Sequence, residues 1–302
     1  MKLYKVILQL VSPYTTDWQA DTIWGHLCWA LRFAYGEDEL LKFLARYNHN
    51  EVPLLVSNGF PDDFLPRPIL PNKKVTTRSE FIAAKANEKI SWLTPGEFAE
   101  IINGKEPVLI EKNSGTASVT IKNQINRFSG TTRGKETDVT SGHLFNFPQR
   151  HLEMVSIYLK VADDFVETTK DLFDNLSKSG YGKRKTVGYG QFIVKGFDEF
   201  AGFESPKNAN AFISLSNFVP AEGEPTRGYW GILVKYGKLG EEFAITGNPF
   251  KKPLVMFKAG SCFYDSPVRN YYGRLVKNLS SYYPTVMQYG YALPVSLYLN
   301  EV

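Results

Sequence analysis

Apolar positions change period several times along the chain, and each change predicts an element. Residues 3–11, Leu-Tyr-Lys-Val-Ile-Leu-Gln-Leu-Val, alternate in part and predict a strand that Ser12-Pro13 stops. Ile23, Leu27, Ala30, Leu31 and Ala34 then recur at helical spacing. A helix is therefore expected over about 22–35, with Asp21 as its N-cap and Gly36 as its end. Residues 40–47 continue helically. Short apolar runs at 52–56 and 64–70 are broken by Pro53, Pro61, Pro66, Pro68 and Pro71, which predicts edge strands and extended turns. Residues 77–87 suit a helix capped by Ser79, and Thr94-Pro95-Gly96-Glu97 has the form of a capping box for another. Residues 151–161 alternate as a strand, 165–176 carry a helical apolar stripe, and 191–197 return to strand.

Residues 105–149 break this order. They are polar, rich in Gly, Thr, Ser and Asn, and weakly periodic, with strands expected only near 119–125 and 143–147. A long loop inside a folded domain is commonly functional. A protruding hairpin fits, as does a plain surface insertion. After a linker at 201–209, the runs 211–218, 229–234, 253–263 and 288–299 predict strands, and 273–281 a short helix or turn. The first strand and helix, with strand 151–161, helix 165–176 and strand 191–197, make a ferredoxin-like unit. A second, β-rich domain follows. The expected fold class is α+β, with domains at 1–200 and 201–302.

Residues 180–190, Gly-Tyr-Gly-Lys-Arg-Lys-Thr-Val-Gly-Tyr-Gly, join that helix to that strand. Glycine permits positive φ and close backbone approach. Lys183, Arg184 and Lys185, with turned backbone N–H groups, suit phosphates. Tyr181 or Tyr189 offers a base a stacking face. A P-loop is excluded because Arg184 stands where its second glycine belongs, and a dinucleotide fingerprint because Lys185 holds the third glycine position. The motif alone fits an RNA-backbone clamp and a solvated glycine turn equally.

The net charge, +4 from 35 basic and 31 acidic residues, does not announce a nucleic-acid binder. Its distribution says more. No acid lies between Asp174 and Asp198, between Glu111 and Glu136, or between Asp265 and Glu301, and each window carries cations, Lys122, Arg127 and Arg133 among them. Cys28 and Cys262 read as reduced core residues of a cytoplasmic protein. No Cys/His spacing suits zinc, and neither a signal core nor a run of about 18 apolar residues occurs. No cofactor and no metal is implied. His26, at the edge of its helix face, is a packing or hydrogen-bonding residue, an RNA contact, or a general acid or base if the fold sets it beside Tyr181 or Lys183.

Several stretches together resemble a known family. They are Ser12-Pro13, Asp21-Thr22-Ile23-Trp24-Gly25-His26-Leu27-Cys28-Trp29-Ala30, Asn126-Arg127-Phe128-Ser129-Gly130-Thr131, the glycine loop, and Tyr289-Gly290-Tyr291-Ala292-Leu293-Pro294. In this order they resemble the RAMP subunit that caps the crRNA 5′ handle in type III-A CRISPR (Csm) interference complexes. The resemblance implies tandem ferredoxin-like (RRM-like) domains, an inserted thumb hairpin at about 105–150 near the guide–target duplex, and no catalytic residue. It implies handle contacts at Gly180, Tyr181, Gly182, Lys183, Arg184, Lys185, Thr186, Gly188, Tyr189 and Gly190, with His26, Arg127, Thr131 and Arg133 beside them. The implied partners are crRNA, a large polymerase/nuclease subunit, a backbone RAMP subunit and target RNA near the thumb, with no membrane. The alternative on the same fold is a metal-independent endoribonuclease that processes guide RNA with His26 as acid or base.

Overall fold

Alternation in the first strand, β1 (Lys2–Leu10), buries Tyr4, Val6, Leu8 and Leu10 on one face. In this computed structural model, residues 1–49, 51–71, 76–125, 127–128, 130–132, 144–245 and 247–300 are described. Helix α1 (Ala20–Tyr35) buries Ile23, Trp24, Leu27 and Leu31, and it ends at Gly36 with φ 94°. Its N-cap is Gln19, not Asp21. Asp21 lies inside the first turn, where its side chain is 1% exposed and pairs with Lys235 at 2.9 Å. A distant cation therefore claims the carboxylate that looked like a cap.

Helix α2 (Glu37–Asn48) buries Phe43 and Tyr47. Strand β2 (Leu54–Pro61) precedes the short β3 (Leu65–Pro66). Helix α3 (Arg78–Glu88) buries no side chain and is capped by Thr77, not Ser79, in a reciprocal box with Glu80. After β4 (Trp92–Leu93), helix α4 (Pro95–Ile102) starts with the expected box of Thr94 and Glu97. Strands β5 (Thr116–Asn123) and β6 (Leu144–His151) pair antiparallel as a ribbon of their own. The strand expected at 151–161 starts only at Met154, as β7 (Met154–Val161), since His151 closes β6. Helix α5 (Val166–Ser179) and β8 (Phe192–Glu199) complete the first half.

The main sheet runs β2-β7-β1-β8, antiparallel throughout. Its chain order is β-α-β-β-α-β, with α1 and α5 as the two crossovers. Strand β7 is buried on both faces, since Val155, Ile157 and Leu159 alternate with buried Ser156 and Tyr158.

The second half holds β9 (Ala211–Ser214), β10 (Gly228–Tyr229), β11 (Ile232–Lys235), β12 (Leu254–Phe257), β13 (Cys262–Tyr264), β14 (Tyr272–Gly273), β15 (Tyr291–Ala292) and β16 (Pro294–Leu297). A four-stranded sheet runs β10-β13-β9-β16, and β11-β12 and β14-β15 are separate pairs. Among the described residues, no α-helix follows α5. The segment 273–281 is not helical: it begins in β14, bridges Val276 to Gln288 and turns at Asn278, whose φ is 61°. One buried cluster takes residues from both halves. Polar contacts fasten it: the Tyr289 hydroxyl accepts from the Val56 N–H at 2.8 Å, and the Ser216 hydroxyl donates to the Val56 carbonyl at 2.9 Å.

Candidate nucleic-acid interface

The glycine loop begins where α5 stops, at Gly180. All four of its glycines have positive φ, 78°, 77°, 88° and 65° in chain order. Gly190 shows why a side chain is excluded: a Cβ there would lie 2.1 Å from the Tyr181 carbonyl oxygen. Gly188 is different, because its Cβ direction is open and only its φ selects glycine. Between the glycines Arg184 is itself left-handed, at φ 69° and ψ 19°, and leads into a 3₁₀ turn over Lys185–Val187.

Residues 12–18 hold this loop from below. The Gln191 N–H donates to the Ser12 hydroxyl at 2.8 Å, and the Gly190 N–H to the Pro13 carbonyl at 2.8 Å. The Thr15 hydroxyl donates to the Lys183 carbonyl and the Thr16 hydroxyl accepts from the Lys183 N–H, both at 2.9 Å. Tyr181 lies flat on Trp18, ring centroids 3.8 Å apart, and its hydroxyl donates to the Asp17 carbonyl at 2.7 Å. Tyr181 is 1% exposed. The expected stacking of a base on Tyr181 is therefore corrected: both the ring and the hydroxyl are used inside the protein.

His26 does meet the loop, through its backbone. Its Nε2 accepts the Gly182 N–H at 3.0 Å, which fixes that nitrogen as unprotonated. Burial, followed by the nearby Lys185 cation and opposed by Glu241, lowers the imidazole pKa to about 4. Lys185 is also committed. It pairs with Glu241 at 2.6 Å, both side chains largely covered, and so anchors the loop to the second half rather than offering a free charge.

The loop's other flank meets the β5–β6 ribbon. The Lys122 ammonium donates to the Tyr189 hydroxyl at 2.9 Å and lies 4.0 Å from the Phe147 ring centroid. The Arg184 guanidinium lies 5.4 Å from the same ring, and Tyr189 meets it edge-on at 5.1 Å. Arg150 pairs with Asp17 at 2.6 Å, and its backbone bridges Tyr14. Glycine loop, strap 12–18 and ribbon are thus one assembly.

Lys183, Arg184 and Thr186 are exposed on its surface. Among the described residues, neither Lys183 nor Arg184 enters an ion pair, and the successive N–H groups of Arg184, Lys185 and Thr186 have no partner. A left-handed residue followed by a right-handed turn aims such N–H groups into one concavity, the form that takes an anion. Arg127 and Thr131 are exposed beyond the end of β5, and Arg133 lies outside the described residues. The sequence gives no role to residues 14–18 of the strap or to Phe147, and marks Ser12-Pro13 and Lys122 only as part of the resemblance and of an acid-free window. The signal was present in Ser12-Pro13-Tyr14-Thr15-Thr16-Asp17-Trp18, a hydroxyl-rich run ended by a large aromatic.

Among the described residues, no cluster of three His, Cys, Asp or Glu side chains is placed to hold a metal, and no helix is long and apolar enough to cross a membrane.

Fold and site together define a mixed α/β chain with several small sheets and a cationic, glycine-turned loop. No protein family and no curated protein matches the sequence. Solved structures do match. A chain of the Csm1-Csm4 cassette in complex with cA4 aligns over 99% of this chain and 100% of its own, with a TM-score of 0.70 and 15% identity. A chain of the same cassette in complex with pppApA gives 0.68 and 15% over the whole of both chains. A chain of the Csm3-Csm4 subcomplex of the type III-A CRISPR-Cas interference complex gives 0.60 and 13%, again over both whole chains. At these identities the likeness establishes a shared fold.

Proposed function

We propose that this chain is the crRNA 5′-handle-binding subunit of a type III-A interference complex and acts as a scaffold without catalysis of its own. Csm4 is the component common to the cassette and the subcomplex whose chains share this fold. On this reading the chain bridges a Csm1-type large subunit and a Csm3-type backbone subunit. The order β1-α1-β2-β7-α5-β8 with sheet order β2-β7-β1-β8 supports a ferredoxin-like first domain over 1–200. Residues 201–302 form the second, β-rich domain, whose ferredoxin-like core has lost its helices. The β5–β6 ribbon is the thumb, near the guide–target duplex.

The observation that carries the reading is the pairing of exposed Lys183 and Arg184 with three adjacent backbone N–H groups that have no partner among the described residues. Phosphate positions need that combination, whereas a plain solvated turn needs no such fixed backbone. Tyr189 is the remaining aromatic candidate beside the handle. His26 is a positioning residue here, since its Nε2 already accepts a backbone N–H. The test is binding of labelled guide RNA with and without its 5′ handle, with a gel check for cleavage. Tighter binding of the handle-bearing RNA, left intact, is expected. Site-specific cleavage that is lost in His26→Ala establishes the endoribonuclease instead, and no RNA binding even at low salt overturns both.

A further inference from the structure

Phe147 is buried away from the core. Among the described residues of the β5–β6 ribbon it is the one buried side chain, 7% exposed between exposed Asn146 and Pro148. It joins none of the buried apolar clusters among the described residues. Its cover is cationic and aromatic instead. The Lys122 ammonium lies 4.0 Å from its ring centroid, the Arg184 guanidinium 5.4 Å, and the Tyr189 ring meets it edge-on at 5.1 Å. The ribbon's register accounts for Lys122. Thr120 stands opposite Phe147, and Lys122, two residues on, shares that face and reaches the ring diagonally. Its ammonium also donates to the Tyr189 hydroxyl at 2.9 Å, so Lys122 is engaged inside the protein as Lys185 is.

Arg184 is different. Its backbone is held in the left-handed region, and its N–H opens the row of three that forms the anion concavity. Its side chain is exposed and, among the described residues, meets no carboxylate; it rests on the Phe147 ring. A guanidinium over an aromatic face keeps its edge N–H groups for a phosphate. A loose arginine loses rotamer freedom when it binds, and one already held by a ring loses less.

We propose that Phe147 is a positioning residue of the handle site. Its ring, presented by the β5–β6 ribbon, holds the Arg184 guanidinium beside the N–H concavity in a pose ready for phosphate. Lys122 keeps Tyr189 against the same ring, so the ribbon is part of the site that the glycine loop forms. This inference rests on the function proposed above.

The experiment measures binding of handle-bearing RNA by the whole chain across a salt series, with a thermal melt for each form. The forms are wild type, Phe147→Leu, Phe147→Tyr, Arg184→Ala, Arg184→Lys and Phe147→Leu/Arg184→Ala. Phe147→Leu keeps apolar bulk without the aromatic face. It is expected to weaken binding about threefold to tenfold with the salt slope unchanged, because the charge of Arg184 remains. Phe147→Tyr restores the face and is expected to recover that loss. Arg184→Lys keeps the charge, touches no part of the ribbon, and is expected to weaken binding severalfold. In the Arg184→Ala background, Phe147→Leu is expected to cost nothing further, since the ring then has no guanidinium to hold. Wild-type affinity in Phe147→Leu or in Arg184→Lys overturns the inference. So does a Phe147→Leu loss that persists undiminished in the Arg184→Ala background or is not recovered by Phe147→Tyr, which assigns the ring to ribbon packing alone. A Phe147→Leu chain that does not melt cooperatively leaves Arg184→Lys to decide. Wild-type chain that binds handle-bearing and handle-free RNA alike overturns the underlying functional reading, whatever the variants do.

Discussion

Tyr181 and His26 show that a residue's chemistry belongs to its neighbours. Tyr181 resembles a base-stacking residue in sequence, but its ring is sealed against Trp18 and its hydroxyl holds Asp17. Tyr181→Ala should therefore cost about 3–5 kcal/mol in denaturant unfolding, the loss of a buried aromatic, before any RNA is added. Tyr181→Phe should cost only about 1 kcal/mol, for the one hydrogen bond. His26 gives a pH prediction. Its folded pKa, about 4, lies below the ordinary 6.5, so between these values the unfolded chain binds the proton and the folded chain does not. The contribution of His26 is therefore complete above about pH 6.5 and falls away as pH drops toward 4, by at most on the order of 3 kcal/mol. His26→Gln keeps an acceptor for the Gly182 N–H and should remove that slope, read as the wild-type-minus-variant difference in stability across pH 4–7.

At the scale of elements, the loop works because the strap beneath it satisfies its backbone. Gly190→Ala drives a methyl into the Tyr181 carbonyl and should abolish handle binding with a clear loss of stability. Gly188→Ala meets open space and should cost only about 1–2 kcal/mol, the strain of positive φ, with RNA affinity retained. Circular dichroism melts and filter binding of the two variants separate these outcomes. Much of this element was legible in sequence. Glycine spacing and the acid-free cationic window located it, and periodicity located β1, α1, β7 and α5. The roles of its side chains were not legible, because they are fixed across long sequence distances: Lys185 by Glu241, His26 by Gly182, and Tyr189 by Lys122. The same holds for Asp21, whose capping pattern was sound locally and was overruled by Lys235. The weak periodicity of 105–149 has a physical cause too, since every described residue of β5 is exposed or nearly so and no buried face enforces alternation.

At the scale of the molecule, the two halves share a core and a buried polar junction. Asp21 receives Lys235 at 2.9 Å and Gln288, whose other amide atom accepts from Lys251 at 2.6 Å. Removing the cation strands a covered carboxylate, so Lys235→Ala should destabilise the chain by roughly 3–5 kcal/mol, and both halves should unfold in one transition. A glycine loop that grips handle phosphates must show it in a salt series. Handle-bearing RNA is titrated with wild type and with Lys183→Ala/Arg184→Ala from low to high salt. The variant is expected to bind more weakly, with a slope of log affinity against log salt that is shallower by about 2 units, one for each phosphate contact removed. Identical affinity and slope for the two proteins would contradict it and return the loop to an ordinary turn.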